Sequence, residues 1–366
     1  MDRLKNINIK NINIKNIKRP NISIEDMTNK MKNLFKTANE NIIMYFLIGT
    51  IIILLFGIIY YIRVQMSKKA NQTQLMRSNL EEIPANITNI NLNDAKFKFK
   101  LRDYYIMSSY NSCCNGQFNN SFVDYEPLKT VIKRGARLLD FEVYSVDNKT
   151  VIAVSYNNNY YQKGSYNSLP FSKVMDLIND YAFSASTCPN FNDPLFLHFR
   201  IKSSQPHVFK DMLKILTQVF SRRRLSNKYN FEYNGNNLGA EPLENFLGKV
   251  VIMCDRSNSM YSKSGLDEII NITSGSHFLK GFRNYDVQFV SNYKELINGN
   301  KKNMAISFPD LSKSNDNMNV SLHMKYGVQM PCMNFQNLDS NMIFYLNNFN
   351  RNGHAFILKP QELRYV

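Results

Sequence analysis

Between positions 42 and 62 the chain reads IIMYFLIGTIIILLFGIIYYI, an uncharged apolar run. Wound as a helix, it is long enough to cross the roughly 30 Å hydrocarbon core of a bilayer. A buried core helix is set aside because the run has no polar face to meet water. A cleaved signal peptide would carry a shorter apolar region nearer the start, so the run reads as a retained single-pass membrane anchor. Lys30, Lys32 and Lys36 precede it, and Arg63, Lys68, Lys69 and Arg77 follow it. The slight excess after the span places the following domain on the cytosolic side. Five cysteines, Cys113, Cys114, Cys188, Cys254 and Cys332, form neither a CxxC pair nor an even disulfide set and point to the same reducing compartment.

On either side of the span the sequence loses apolar periodicity. The tract 6-NINIKNINIKNIK-18 repeats a short unit with no core-forming period, so residues 1–41 read as a polar, basic, disordered amino terminus. Residues 63–95 are polar, with Asn, Thr and Pro, and read as a tether to the domain that follows. The net charge of +16 favours anionic partners such as lipid headgroups, inositol phosphates or nucleic acid. Much of it comes from Lys scattered among Asn and Ile, and the 21 Tyr and 25 Phe do not space into a base-stacking platform, so no nucleic acid is expected. The tract 222-RRRLSNK-228 reads as a basic helix end facing solvent or phosphates. No phosphate-binding glycine loop, zinc-type spacing or GxSxG elbow is present.

From residue 96 onward, strand and helix patterns alternate. Segments 103–110, 137–145, 150–156, 194–201, 249–255, 286–291, 304–308, 330–336 and 354–360 read as strands. Segments 122–135, 171–185, 207–225 and 341–353 read as amphipathic helices. Roughly eight strands alternating with helices in one domain predict an α/β fold, a TIM-like (β/α)8 barrel whose chemistry sits at the carboxyl ends of the strands. Tyr110, Asn111, Asp140, Glu142, Arg200 and Lys202 fall there.

Several of these segments carry a resemblance: YYIMSSYN, KRGARLLDFEVY, DYAFSAS, NFLGKVVIMCD, and above all YGVQMPCMNFQNLDSNMIFYLNNFNRNGHAFILKPQELR. The chain from about 96 to 366 resembles the X and Y boxes of eukaryotic-type phosphoinositide-specific phospholipase C. On that likeness the X half covers about 96–256, a linker about 257–285 and the Y half about 286–366. The resemblance implies a barrel in which two histidines act as acid and base and calcium is held by an Asn and three carboxylates. Here Tyr110 stands at the position of the first histidine and Ser155 at that of the second. Neither side chain shuttles a proton at neutral pH as imidazole does. His198 alone lies on a strand near the site, and it reads as a satisfied core or rim histidine.

The implied metal set is partly kept as Asn111, Asp140 and Glu142, while Arg200 replaces a carboxylate. Alternation along the strand puts the two acids on one face, and Arg200 is expected to pair with them in place of a metal. No cofactor is therefore expected, with Ca2+ admitted only if Asn111, Asp140 and Glu142 still bind it. The phosphate-holding lysines are missing at Met253 and Asp255, which leaves Arg256 and Lys202 as headgroup candidates. The Arg-x-Tyr-Pro of the family appears as Ile306-Ser307-Phe308-Pro309. The resulting expectation is a membrane-anchored phospholipase C-like protein without catalysis, a lipid-headgroup or protein scaffold in phosphoinositide signalling. Two alternatives stand beside it: a phosphodiesterase with altered residues, and a purely structural membrane protein.

Overall fold

The computed structural model describes residues 23–37 and 40–365, in two compact units divided after Met66. In the first unit, helix α1 (Ile24–Thr37) places Ile24, Met27, Met31 and Leu34 at helical spacing, all exposed, with Lys30 and Lys32 on the flanks of that stripe. Of the stretch 1–41 expected to be disordered, residues 24–37 are helical, while residues 1–22, 38 and 39, with the repeat tract 6–18, lie outside the described residues. Helix α2 (Glu40–Glu81) contains the apolar run, and its first part is the one described helix long and apolar enough to cross a membrane.

The segment 63–95, most of it in the second unit, departs from the expected tether. It is helical through Glu81, and Met76 and Leu80 are buried, as is Ile87 beyond the helix end. Lys69 Nζ pairs with an Asp124 carboxylate oxygen at 2.8 Å, and Asn115 Nδ2 donates to Lys69 O (3.3 Å) and Thr73 Oγ1 (3.1 Å). Positions 69, 73, 76 and 80 form one face of a helix, a stripe whose outer members are polar and hide the period from a hydropathy reading.

Eight strands form a nearly closed parallel barrel: β2 (Ser108–Ser109), β3 (Leu138–Val146), β6 (Leu195–Ile201), β7 (Val250–Asp255), β8 (Ile272–Ser274), β9 (Leu279–Arg283), β10 (Met304–Phe308) and β11 (Met330–Met333). The hydrogen-bonded order runs β8-β7-β6-β3-β2-β11-β10-β9. β1 (Tyr104–Ile106) pairs antiparallel with β12 (Phe356–Leu358), and β4 (Lys149–Ala153) and β5 (Leu169–Pro170) form an antiparallel flap on β3. β6 and β7 are near-continuous apolar runs because parallel staves are covered on both faces. Helices α3 (Tyr125–Lys133), α4 (Phe171–Ala182) and α5 (Pro206–Val219) lay buried faces on that wall, among them Val131, Val174, Met175 and Phe209.

Three expectations are corrected by this topology. Segment 150–156 lies in the flap, not among the staves. The proposed strand at 286–291 is a helical turn over Asn284–Gln288, because the Asp286 carboxylate accepts from Arg283 N at 2.7 Å and caps a helix start. Its apolar alternation serves no second face, since Phe289 is 77 % exposed. Finally, the supposed linker 257–285 contributes two staves, β8 and β9.

Candidate functional site

On β3 the residues Asp140 and Glu142 point to the same side, and the parallel ladder with β6 sets Asp140 opposite His198 and Glu142 opposite Arg200. Two acids and two basic side chains thus meet inside the carboxyl end of the barrel, all essentially without solvent exposure. Arg200 turns inward. Its Nε and Nη2 donate to Asp140 Oδ1 (3.0 Å) and Oδ2 (2.7 Å), Nη1 donates to Glu142 Oε1 (2.6 Å), and Nη2 also donates to Asn111 Oδ1 (2.8 Å). Nη1 reaches the Tyr110 hydroxyl at 3.1 Å, and the guanidinium lies 4.4 Å from the Tyr110 ring centroid and 5.7 Å from that of Phe308. Charge-assisted, forked bonds of this kind are the strong members of their class.

The electrostatics follow from that packing. Burial alone would raise the Asp140 carboxyl, but the charge of Arg200 and hydrogen bonds from His198 and Arg200 outweigh it and hold it well below the usual carboxylate range. Burial would likewise lower Arg200, yet Asp140, Tyr110 and Glu142 hold it above its ordinary value. The Tyr110 hydroxyl is pushed up, chiefly by burial. It is a neutral donor or acceptor here and no proton shuttle.

A calcium ion needs six to eight oxygen ligands. In this cradle Asp140 Oδ1 accepts from His198 Nδ1 as well as Arg200, and Asp140 Oδ2 accepts from Asn111 N (3.1 Å) as well as Arg200. Glu142 Oε2 accepts from the Tyr144 hydroxyl at 2.8 Å. Each oxygen that would face a cation therefore faces a donor, and the residues do not fit a metal while Arg200 stays in place. Among the described residues no cluster of three or more His, Cys, Asp or Glu has metal-binding geometry.

The remaining candidates are scattered around this plug. Asn111, at the turn after β2, adopts φ 44°, a left-handed conformation that Asn tolerates and that aims its Oδ1 at Arg200. Ser155 is buried beyond the flap strand β4 and donates to Asn157 Oδ1 at 3.1 Å. Lys202 is buried, with Nζ 3.2 Å from Asn158 Oδ1 and 5.3 Å from the Tyr160 ring centroid, and burial and then Arg200 lower its pKa. Arg256 instead lines an open cleft of 440 Å³ together with Asp255, Ser274, Arg283, Asp286 and Phe308. Arg283 Nη1 is held by the Pro309 carbonyl at 2.9 Å.

Two participants escaped the sequence reading. Tyr144 stands two residues beyond Glu142 on the same strand face, a signal that alternation contained. Ser274 does not: its Oγ lies 2.9 Å from His198 Nε2 through a contact between staves that no local pattern announces.

The sequence profile of the phosphatidylinositol-specific phospholipase C X domain matches residues 97–255, and that of the Y domain matches residues 276–362. Among solved structures, the S. officinalis PLC21 crystal structure aligns with a TM-score of 0.59 at 18 % identity, covering 77 % of this chain and 39 % of the other. L. pealei PLC21 aligns with a TM-score of 0.59 at 17 % identity, covering 77 % and 40 %. The chain thus spans about two fifths of the length of those proteins. No curated protein sequence matches it.

Proposed function

Because this chain belongs to the phosphatidylinositol-specific phospholipase C family, we propose that it is a membrane-anchored member that no longer performs the family's calcium- and histidine-dependent cleavage and instead holds an anionic headgroup at its cleft. One observation carries the reading: the Arg200 guanidinium occupies the space between Asp140, Glu142 and Asn111, so acids suited to a metal are neutralised from within. Tyr110 and Ser155, where the family resemblance implies imidazoles, supply no acid or base near neutral pH.

Headgroup binding is supported by Arg256 and Arg283, two guanidiniums on one open cleft at the strand ends. Lys202 is too deeply packed to share that role. Anchoring is supported by the apolar run of α2 and by α1, whose exposed Ile24, Met27 and Met31 with flanking Lys30 and Lys32 suit a bilayer surface. A cytosolic barrel is consistent with five buried, unbridged cysteines. A protein partner remains a further use of the same scaffold.

The test uses the full-length chain in detergent micelles and in vesicles. Phosphatidylinositol and its phosphates should release no more inositol phosphate with calcium than without it, and calorimetry should detect no calcium binding, while vesicles carrying phosphorylated phosphatidylinositol retain the protein more strongly than phosphatidylcholine vesicles. Calcium-dependent turnover would overturn the reading.

A further inference from the structure

The group behind the plug has an arrangement of its own. His198 Nδ1 lies 2.7 Å from Asp140 Oδ1, and His198 Nε2 lies 2.9 Å from Ser274 Oγ. With Nδ1–H given to the carboxylate, Nε2 is the acceptor for the serine hydroxyl proton. Asp140 is fixed on its other side by Arg200, so the imidazole cannot rotate without breaking the bonds that hold the barrel end together. Phe308 packs on the ring, centroids 5.2 Å apart. Acid, imidazole and hydroxyl are thus ordered as in a nucleophile, base and orienter set, recognised by geometry and not by sequence order.

Ser274 is buried, 4 % exposed, but its place in the lining of an open cleft separates this set from a histidine enclosed in the core. Ser274 is the last residue of β8 and lines the 440 Å³ cleft beside Arg256 and Arg283. Glycines stand next to it in sequence and across from it in space: Gly275 has φ +84°, and a Cβ at Gly281 would lie 3.8 Å from that of Ser274. Arg256 and Arg283 line the same cleft and supply positive charge to it, the sign an attacked phosphoryl group needs.

We propose that Ser274 is a nucleophile activated by His198 and oriented through Asp140, acting on a phosphoryl ester bound between Arg256 and Arg283; this rests on the anionic-ligand reading of the cleft. In a phosphodiester, the Ser274 Oγ–phosphorus bond forms, the phosphorus–oxygen bond to the leaving alcohol breaks, and the Oγ proton passes through His198 Nε2 to that alcohol. Water then attacks the phosphoserine diester, giving a proton to Nε2 and freeing the hydroxyl. Neither Tyr110, Ser155 nor a metal takes part.

The experiment treats the full-length chain in detergent micelles with a fluorophosphonate probe, which forms the Oγ–phosphorus bond with loss of HF, and maps the adduct by peptide mass spectrometry. Stoichiometric labelling of Ser274 is expected, absent in Ser274→Ala and slowed about 100-fold in His198→Asn. Near-ultraviolet circular dichroism confirms that Ser274→Ala, a small change, is folded. No adduct at Ser274, or an adduct formed equally fast in His198→Asn, overturns the proposal. Phosphorylated phosphatidylinositol vesicles distinguish the two readings. Labelling that they do not slow leaves the nucleophile and removes the headgroup. Vesicle binding without labelling does the reverse.

Discussion

Replacing Arg200 by methionine tests the internal plug directly. The substitution keeps the volume close while removing the guanidinium that bonds Asp140, Glu142, Asn111 and Tyr110. Deleting one partner of a buried ion pair costs about 3–5 kcal/mol because the charge left behind has no water. Here two carboxylates are stranded at once, at positions with no measurable exposure. A loss of at least about 4 kcal/mol at neutral pH is expected, from a domain whose whole stability is of order 5–15 kcal/mol. The pH profile should also change sign. In the native protein the folded pKa of Asp140 lies below its unfolded value, so the stabilisation is present above the unfolded pKa and disappears as pH falls through the folded one. In Arg200→Met the burial contribution dominates, the folded pKa rises above the unfolded one, and stability falls as pH increases. Urea midpoints followed from acid to neutral pH read both slopes. The triple variant Asp140→Asn, Glu142→Gln, Arg200→Met should recover most of the loss, since an uncharged set of similar volume is often as stable as a buried ion pair. Calcium at 100 times its dissociation constant should restore about 2.7 kcal/mol to the single variant and nothing to the native chain. A native-like midpoint for Arg200→Met with a flat pH profile would refute the reasoning.

Three further outcomes are expected. Leu80→Ala, in the helix segment packed on the barrel, should lower stability by roughly 3 kcal/mol in urea melts, whereas an unattached tether would show no change. His323 is buried between Ser307 Oγ (2.9 Å) and Asn284 Oδ1 (3.1 Å), and burial lowers its pKa from 6.5 to about 4, so its contribution is full above 6.5 and lost as pH falls through 4. That amounts to about 3 kcal/mol, and His323→Asn should flatten the stability profile across that window. Arg256→Ala and Arg283→Ala should each weaken binding to phosphorylated phosphatidylinositol vesicles about tenfold in flotation assays, with urea midpoints little changed for the exposed Arg256.

What the sequence made legible is what depends on short-range periodicity. The apolar runs of β6 and β7 announce buried parallel staves, and the spacing of Asp140 and Glu142 puts both acids on one strand face whatever the rest of the chain does. Staves β8 and β9 were missed for the opposite reason. β8 is three residues long, and in β9 only Leu279 is fully buried while Lys280 and Gly281 are exposed, so neither carries an apolar signature. The packed part of α2 was hidden because Lys69 and Thr73 serve its inner face through an ion pair and a hydrogen bond, work that hydropathy counts as solvent exposure.

The site divides along the same line. A single change of charge, Arg200 where the family resemblance implies a carboxylate, is readable in one dimension, and strand register then dictates whom it meets. The path from Asp140 through His198 to Ser274 joins three staves, β3, β6 and β8, and exists only once the barrel has curled. An arginine placed between acids thus also shapes the histidine and serine that lie beyond them. The same guanidinium that neutralises Asp140 also holds it ionised and immobile against His198, which is the condition a base requires from its orienting acid.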